Sequence, residues 1–512
     1  MESIDVIIIG GGLNGLTMAV LLAHHGVRCI LIERHTGTSI QYKFAGISPR
    51  SMEIFRDVGL EEEIRARQTG DQQVGQLGRG RNLADPALTW SGAAWPDASP
   101  FSPTQPATCD QHVLEPILKR RAEALGADVR FGAEFLALEQ DANGVRVRVR
   151  GTQGEQSITG KYLIAADGAS GNTRELLGIG RSGAGVLQHW MNIIFDTELA
   201  PTIDGKRFTS CFVTDINATI TPRPGGRWLL SLQYSPEKGE RPEDFDAAKC
   251  RDLVARGAGR PEVRADLVDA RPWEAAAYVA DRFQSGRCFV LGDAAHLVPP
   301  TGAFGGNSGI HDAHNLAWKL AYVLRGEASP ELLDTFDAER RPLIQATLDQ
   351  AMARLQKWFR NLGGNLPAPA EMVADYDVVL GQRYREGAFL AAPTADQGAF
   401  VAHASLSGVP GTRLPHRSIE IAGKPASTLD LIGRKATLVT AGDAHWEAAA
   451  RELAGRGFAL DVVACDAIVN AGVEADGALL VRPDHFVAWK SARFPPNASD
   501  ALANAVRTLR MN

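Results

Sequence analysis

The first 33 residues constrain the fold more than any other part of the chain. They open with the continuous apolar run DVIIIG at Asp5–Gly10, which predicts a strand covered on both faces, as in parallel sheets. Helical spacing follows at Leu13–His25, and Val27–Ile32 predicts a second strand. This order of strand, helix and strand predicts a parallel α/β domain at the start of the chain.

The turn between the first strand and the helix has the spacing G-x-G-x-x-G, at Gly10, Gly12 and Gly15. Such glycines permit a tight turn, close approach of a pyrophosphate to the backbone, and close packing of the helix on the strand. Glu33 follows the second strand, where a carboxylate accepts hydrogen bonds from ribose hydroxyls. We therefore predict dinucleotide binding, with a plain βαβ unit as the alternative.

A second glycine-rich stretch, Arg287–Leu320, predicts a further part of a ligand site. An apolar strand at Cys288–Leu291 breaks at Gly292-Asp293 and leads through a loop into a helix predicted to begin near Asn307. The loop contains residues with special backbone properties, namely Pro299, Pro300, Gly302, Gly305 and Gly306. A helix start of this kind presents unpaired N–H groups and a positive dipole end, which suit an electron-rich ligand edge.

Composition argues against several classes of function. The net charge of −6, a pI near 6.1 and the lack of a basic stripe argue against a nucleic-acid partner. The six cysteines are scattered without a CxxC, so we predict neither a metal site nor a disulfide framework. The chain enters a strand at once, with no signal-peptide pattern and no apolar run of membrane-spanning length. We expect a cytoplasmic protein that does not bind membranes.

The rest of the chain predicts an inserted sheet and a separate C-terminal module. Three strand-like segments, Phe208–Val213, Ala218–Arg223 and Arg227–Tyr234, are separated by turn residues and predict an antiparallel sheet. The predicted units are a discontinuous first domain at 1–178 plus 276–362 with a loop insertion near 71–105, a sheet domain at 179–275, a linker at 363–415, and a small α/β domain at 416–512.

Three motifs give the chain a family resemblance. GGGLNG with Glu33-Arg34, DGASGNTR at Asp167–Arg174 and GDAAHLVPPTGAFGGN at Gly292–Asn307 resemble the motifs of single-component FAD-dependent aromatic hydroxylases, which have the para-hydroxybenzoate hydroxylase fold. The segments SPRSMEIFRDVGL, HDAHNLAWKL, PGTRLPH and GALLVRPDHFVAWK resemble the longer branch, which includes phenol hydroxylases and the polyketide and indolocarbazole tailoring hydroxylases. The resemblance implies a mixed α/β and α+β fold: a Rossmann-like FAD-binding domain, an inserted antiparallel-sheet substrate domain and a C-terminal thioredoxin-like domain, here without CxxC.

The resemblance also implies roles for individual residues. Gly10, Gly12, Gly15 and Glu33, with the neighbouring Arg34, would hold the adenosine and pyrophosphate end of FAD. Gln111 matches a glutamine near the flavin chain, Asp293 matches the aspartate that accepts from the ribityl hydroxyls, and Asp167 belongs to a motif that serves FAD and nicotinamide together. The loop along the isoalloxazine would comprise Pro300, Gly302, Gly305, Gly306 and Asn307. The chain departs from the family at Lys43, near which an arginine is usual, and at Gly171, where a serine is usual.

The activity implied by the resemblance is monooxygenation of an aromatic substrate, phenolic or polycyclic. NADPH or NADH would reduce FAD, and O₂ would form a C4a-hydroperoxyflavin that hydroxylates the ring. Baeyer–Villiger oxygen insertion and non-catalytic binding of an aromatic metabolite remain alternatives, and a homodimer is possible. His189, Arg223 and Tyr234 lie in the predicted substrate sheet as candidate activating groups, although such residues are more often structural.

Overall fold

The computed structural model describes residues 2–68, 76–92, 96–200, 202–203, 206–361, 368, 370–390, 398–442, 444–455, 458 and 460–511. The helices, in chain order, are α1 Leu13–His24, α2 Pro49–Asp57, α3 Glu61–Ala66, α4 Gln111–Ala124, α5 Thr173–Leu176, α6 Ala247–Ala258, α7 Phe304–Leu324, α8 Thr335–Asn361, α9 Asp375–Val379, α10 Ala444–Gly455 and α11 Ala498–Arg510. None of them is long and apolar enough to cross a membrane.

The strands are numbered in the same way. They are β1 Glu2–Ile9, β2 Cys29–Glu33, β3 Gly46–Ile47, β4 Gln76–Gly80, β5 Thr89–Gly92, β6 Ala107–Thr108, β7 Asp128–Phe131, β8 Glu134–Gln140, β9 Val145–Gly151, β10 Gly154–Ala165, β11 Arg181–Asp196, β12 Thr202–Ile203, β13 Lys206–Val213, β14 Ala218–Pro222, β15 Arg227–Tyr234, β16 Asp266–Ala280, β17 Gln284–Ser285, β18 Cys288–Val290, β19 His296–Leu297, β20 Ser418–Ile421, β21 Lys424–Ser427, β22 Thr437–Thr440, β23 Asp461–Ala464, β24 Ala478–Val481 and β25 Val487–Ser491.

The first domain is built on a largely parallel sheet. Its strand order is β17-β18-β10-β1-β2-β7, and β1 pairs in parallel with both β2 and β10. Ile7 and Ile8 of β1 are fully buried, as the unbroken apolar run predicts for a strand covered on both faces. α1, α4 and α7 pack together beside this sheet, so the turn after β1 and the start of α7 come to the same region.

The second sheet has nine strands, in the order β19-β16-β11-β15-β14-β13-β4-β5 with β12 beside β13. The segment 71–105 was predicted to be a loop insertion, but two of its stretches are strands of the second sheet. β4 pairs in parallel with β13, and β5 pairs with β4. Sequence periodicity did not predict β4 and β5, because these strands are short and contain glycine. Residues 71–75 and 93–95 of that segment lie outside the described residues.

The C-terminal module has the strand order β23-β22-β24-β25, with β22 parallel to β23 and antiparallel to β24. With α10 before β23 and α11 after β25, this is the thioredoxin-like arrangement. Cys465 is buried as a free thiol. The predicted linker 363–415 is largely packed where it is described: Tyr376, Val378, Tyr384 and Phe389 are buried. Residues 363–367, 369 and 391–397 lie outside the described ranges.

Buried charges join the C-terminal module to the first domain. The Glu339 carboxylate of α8 accepts hydrogen bonds from Lys319 Nζ at 2.8 Å and from Arg482 Nη1 at 2.7 Å and Nη2 at 2.8 Å. All three side chains are fully buried. Arg50 of α2 reaches the same module, donating to the carbonyl oxygen of Asp484 at 2.7 Å. Each of these charges is paired, as buried charges must be to avoid a large desolvation cost.

Candidate cofactor and substrate site

The glycine loop after β1 is held against the backbone that directly follows β10. Gly10 has φ +106°, and a Cβ placed on it would lie 2.3 Å from the carbonyl oxygen of Ala166. A Cβ on Gly15 would lie 1.9 Å from the carbonyl oxygen of Gly10. Gly12 is different, because its nearest neighbour would be Glu115 Oε1 at 3.8 Å. Packing therefore accounts for Gly10 and Gly15, whereas Gly12 borders open space.

Glu33 lies at the end of β2, directly beside this loop. Its Oε2 accepts from Gly11 N at 2.6 Å, and its Oε1 accepts from His35 N at 2.8 Å. The neighbouring Arg34 and Lys43 are exposed. The structure thus brings Glu33 to the glycine loop, where a ribose next to a bound pyrophosphate would lie.

Asp167 follows β10 and lies next to Gly10. Its Oδ2 accepts from Thr173 N at 3.0 Å and from Thr173 Oγ1 at 2.7 Å. This contact explains the departure at Gly171, because a Cβ there would lie 2.1 Å from Asp167 Cγ. A serine at that position would displace the carboxylate that holds the start of α5.

The turn after β18 carries Asp293 into the same cleft. Gly292 has φ +57°, and its N–H donates to Asp312 Oδ2 at 3.2 Å, while His296 Nε2 contacts the same oxygen at 2.7 Å. Arg340 Nε donates to the other oxygen of Asp312 at 2.7 Å. The Asp293 side chain keeps one side exposed to solvent, while the protein packed around its carboxyl group raises its pKa by desolvation, opposed by the positive charge of Lys43. The supporting role of Asp312 could not be predicted from sequence, because its partners come from separate segments.

The loop before α7 and the first turn of α7 are shaped by aromatic rings. A Cβ on Gly302 would lie 2.5 Å from the ring of Phe304, and one on Gly306 would lie 2.5 Å from the ring of Phe44. Gly305 is open, with its nearest neighbour at 3.6 Å, and Pro300 is exposed. α7 begins at Phe304, three residues earlier than predicted, directly after Ala303, which has φ +55°.

The side chain of Asn307 is fully occupied by protein contacts. Its Oδ1 accepts from Ser48 N at 2.9 Å and Ser51 Oγ at 2.7 Å, and its Nδ2 donates to the carbonyl oxygens of Gly46 at 2.9 Å and Ala303 at 2.7 Å. The Asn307 side chain therefore holds the loop in place. Any direct contact between Asn307 and a ligand would be made by its backbone groups.

The two glycine-rich loops line one cleft. A Cβ on Gly292 or on Gly309 would lie within 2.4 Å of the Asn14 side chain of α1, so the starts of α1 and α7 are in close contact. Gly12 and Gly305 have room for a side chain within the protein, yet carry none. Open space at glycines on two helix starts fits a dinucleotide whose pyrophosphate and ring system approach the backbone.

Gln111 begins α4 at the edge of this cleft. Its Nε2 donates to Glu115 Oε1 at 2.6 Å, and its backbone N–H donates to the carbonyl oxygen of Phe44 at 2.8 Å. Glu115 takes one N–H of this amide, so the amide oxygen and the second N–H are the groups left for a ligand. Glu115 was missed from the sequence, although the i, i+4 spacing places it on the same helix face as Gln111.

The second sheet has two chemically different faces. Its outer face packs on α6 and is apolar, with Met191, Ile193 and Leu230 in the core. His189 lies two residues before Met191 and so shares its face of the strand, and its ring lies 5.6 Å from that of Tyr234, which packs against Phe245 of the same core. The structure thus places both His189 and Tyr234 on the face that points away from the cofactor cleft.

The inner face of this sheet meets the first domain at Tyr42, which packs on Ile194 and Leu229. Asn192 Oδ1 accepts from Ser231 Oγ at 2.7 Å and from Trp273 Nε1 at 2.9 Å. Trp273 stacks on Trp190, with ring centroids 5.6 Å apart and an interplanar angle of 13°. This face offers flat apolar surfaces and uncharged hydrogen-bonding groups, none of which the sequence analysis singled out.

Arg223 is the candidate that reaches the first domain. Its Nη1 donates to Asp110 Oδ1 at 2.8 Å, and its guanidinium carbon lies 5.1 Å from the centre of the Tyr42 ring. Asp110 is fully buried and directly precedes Gln111. Arg223 therefore links the second sheet to the start of α4.

Comparisons with known proteins agree with this architecture. A family model described as FAD binding domain matches residues 3–351, and one described as aromatic-ring hydroxylase, C-terminal, matches residues 407–510. Tetracenomycin A2 monooxygenase-dioxygenase of Streptomyces glaucescens is 36% identical, covering 99% of this chain and 97% of the relative. Aklavinone 12-hydroxylase RdmE of Streptomyces purpurascens is 35% identical, covering 99% of this chain and 98% of the relative.

Solved structures are similar over the whole chain. A ternary complex of aklavinone-11 hydroxylase with FAD and aklavinone superposes with a TM-score of 0.92 at 33% identity, covering 100% of both chains. The flavin-dependent monooxygenase PieE, solved with FAD and substrate, has a TM-score of 0.88 at 29% identity, covering 100% of this chain and 99% of the other.

Proposed function

The chain belongs to the FAD-dependent aromatic-ring hydroxylases and is a flavin-dependent monooxygenase, and from this premise we propose that it hydroxylates a polycyclic phenolic substrate with O₂ and NADPH or NADH. The bound FAD supplies the redox chemistry. The protein binds and orients the reactants and excludes water from them.

The observation that carries the substrate proposal is the composition of the inner sheet face. Trp190 and Trp273 offer stacked indole surface, and Asn192 and Ser231 offer uncharged polar groups. Aromatic rings stack favourably on such surfaces, and ketone or phenol oxygens are suitable partners for the polar groups. The relatives named for tetracenomycin and aklavinone support a polycyclic aromatic substrate for this chain.

The proposed cofactor contacts follow the two loops. We assign the pyrophosphate and adenosine ribose to one group of residues, Gly10, Gly12, Gly15, Glu33 and Arg34. We assign the flavin chain and ring to a second group, Lys43, Gln111, Asp293, Pro300, Gly302, Gly305, Gly306 and the backbone of Asn307. Asp167 is assigned a supporting role, because its carboxylate holds the turn that Gly10 packs against.

Of the three candidate activating groups, we assign to Arg223, and not to His189 or Tyr234, the role of favouring the anionic form of a phenolic substrate. The latter two face the apolar outer core. The contribution of Arg223 would be electrostatic, because a guanidinium favours the anionic form of a nearby phenol.

The test is product analysis under ¹⁸O₂ with the purified yellow protein, NADPH or NADH, and a panel of phenols, hydroxyquinones and polycyclic ketones. One ¹⁸O atom in a new ring hydroxyl is the expected result. Label in an ester would instead indicate Baeyer–Villiger insertion. Substrate-stimulated NAD(P)H oxidation with no labelled product across the panel would contradict hydroxylation of these compound classes.

A further inference from the structure

His112, the second residue of α4, lies at one end of the inner face of the second sheet. Its ring packs edge-on against Tyr42, with ring centroids 4.8 Å apart and an interplanar angle of 70°. Tyr42 in turn packs on Ile194 and Leu229 of that face. No motif pointed to His112 from the sequence, and none of the contacts of the FAD loops involves its side chain.

This end of the sheet adjoins the surface proposed to hold the substrate. On β11, Ile194 lies two residues after Asn192; on β15, Leu229 pairs with Ile194 and Ser231 pairs with Asn192. Because side chains two residues apart on a strand point to the same face, the polar pair and the apolar pair form neighbouring rows of one surface. His112 therefore borders the proposed substrate surface.

The two ring nitrogens of His112 have different surroundings. Nδ1 is enclosed by protein and has no hydrogen-bond partner in the described part of the chain. Nε2 also has no partner among the described residues, but it is not enclosed in this way, and the side chain is only half-buried. Nε2 is therefore the nitrogen that a ligand can reach.

The surroundings favour a neutral imidazole with its proton on Nε2. Burial lowers the pKa of His112; the negative charge of Asp110 opposes this, and the positive charges of Arg223 and Arg227 add to it. A neutral imidazole has one N–H and one acceptor nitrogen. An enclosed N–H without an acceptor is less tolerable than an enclosed lone pair. His112 thus presents an uncharged N–H donor at the border of the substrate surface.

Arg223 contacts the same aromatic ring as His112. Its guanidinium carbon lies 5.1 Å from the centre of the Tyr42 ring, and its Nη1 donates to Asp110, two residues before His112, at 2.8 Å. A charged donor and a neutral donor therefore both lie beside one tyrosine. Such a pair suits a ligand with two oxygens, of which one becomes anionic and the other is a neutral acceptor.

We propose that His112 is a specificity-determining residue, which donates a hydrogen bond from Nε2 to a carbonyl oxygen of the substrate while Arg223 faces the phenolic oxygen. The substrate class is then a polycyclic phenol with a ketone or quinone carbonyl on the same ring system. This inference rests on the proposed function and adds the carbonyl group to it. A phenol without that carbonyl binds more weakly.

The experiment measures binding and needs no turnover. The probes are a hydroxyanthraquinone and the hydroxyanthracene with its hydroxyl group at the same position, titrated into the FAD-loaded full chain without NAD(P)H and followed by the flavin absorbance spectrum. We expect His112→Leu to raise the Kd of the hydroxyanthraquinone about 2- to 12-fold, as for loss of one neutral hydrogen bond. The Kd of the hydroxyanthracene should stay at the wild-type value.

Two further variants separate recognition from packing. His112→Gln, whose amide group still donates, should recover part of the affinity for the hydroxyanthraquinone, which a purely structural role of the imidazole would not predict. His189→Leu is the control, because His189 lies on the outer face of the same sheet. It should leave both Kd values unchanged.

Three results would overturn the proposal: a wild type that does not bind the hydroxyanthraquinone, a wild type that binds both probes equally well, or a His112→Leu protein that loses affinity for both by the same factor. The ¹⁸O₂ experiment tests hydroxylation separately. Selective binding without labelled product would refute the proposed reaction, whereas labelled product without selective binding would refute only the role of His112.

Discussion

The two glycine-rich loops of the cofactor cleft differ in what excludes a side chain. At Gly10 and Gly15 a Cβ would meet carbonyl oxygens of the main chain, at 2.3 and 1.9 Å. At Gly302 and Gly306 it would meet phenyl rings. A ring can rotate, whereas a main-chain oxygen in a parallel sheet moves only with its strand. The first loop is therefore rigid, and the second can be altered locally.

The largest effect is expected at Gly15. Gly15→Ala should destabilise the fold by more than about 4 kcal/mol, because α1 must separate from β1. Urea unfolding of the FAD-depleted protein measures this. Gly37→Ala is the control, since no atom lies within 4 Å of a Cβ there and its φ is ordinary. Equal stability of the two variants would mean that the first loop is not rigid.

Variants of Asp293, in the turn after β18, test whether the second glycine-rich stretch holds FAD through a side chain. Asp293→Ala should raise the Kd for FAD about 10- to 100-fold, on the basis of about 1.5–3 kcal/mol for hydrogen bonds to a charged group. Asp293→Asn, which keeps one oxygen acceptor, should lose less. An Asp293→Ala protein that stays fully yellow through purification would contradict the assignment of Asp293 to the ribityl chain.

Variants of Gly306 test whether the second loop can accept a side chain when an aromatic ring moves. Gly306→Ala should destabilise the protein by about 1–3 kcal/mol, as for other overpacked sites, because the Phe44 ring must move. Adding Phe44→Leu should restore part of the stability. Thermal unfolding of both single variants and the double variant checks this; strictly additive losses would show that the ring is not the obstacle.

Gly305 should give the smallest change in stability, with two effects of opposite sign. Gly305→Ala should stabilise the FAD-depleted protein by about 0.5–1 kcal/mol, because the residue lies in the first turn of α7 with no close neighbour. The same change should weaken FAD binding. Unfolding of the FAD-depleted variant and fluorescence titration with FAD separate the two effects. Unchanged FAD affinity would place the ring system elsewhere.

The local parts of the site could be predicted from sequence. The glycine loop, β1 and Glu33 lie within 33 residues, so their arrangement follows from short-range geometry. The orientation of His189 could not be predicted, because β11 has register shifts between Ser182 and Gly185 and between Val186 and Gln188. A bulge changes which residues of the strand point to each face of the sheet, and its position is seen only in the pairing of the strands.

Tertiary partners explain the other differences. The family resemblance implied that Asn307 belongs to the loop along the isoalloxazine, but Ser48, Ser51 and Gly46, more than 250 residues earlier, occupy its side chain. α7 begins early for a related reason, since Ala303 takes a left-handed conformation that the Asn307 amide helps to hold. The roles of Asp312 and Glu115 likewise depend on donors from separate segments.

The buried ion cluster at Glu339 has a consequence for synthesis of the chain on the ribosome. Arg482 follows Glu339 by 143 residues, so the carboxylate and Lys319 are made long before the guanidinium that completes their environment. A chain that stops before Arg482 would lack both the guanidinium that donates two hydrogen bonds to Glu339 and the later elements β25 and α11. Incomplete chains would therefore open more often and be degraded by cellular proteases. The environment of Lys319 and Glu339 is therefore complete only after translation has reached the last β-hairpin.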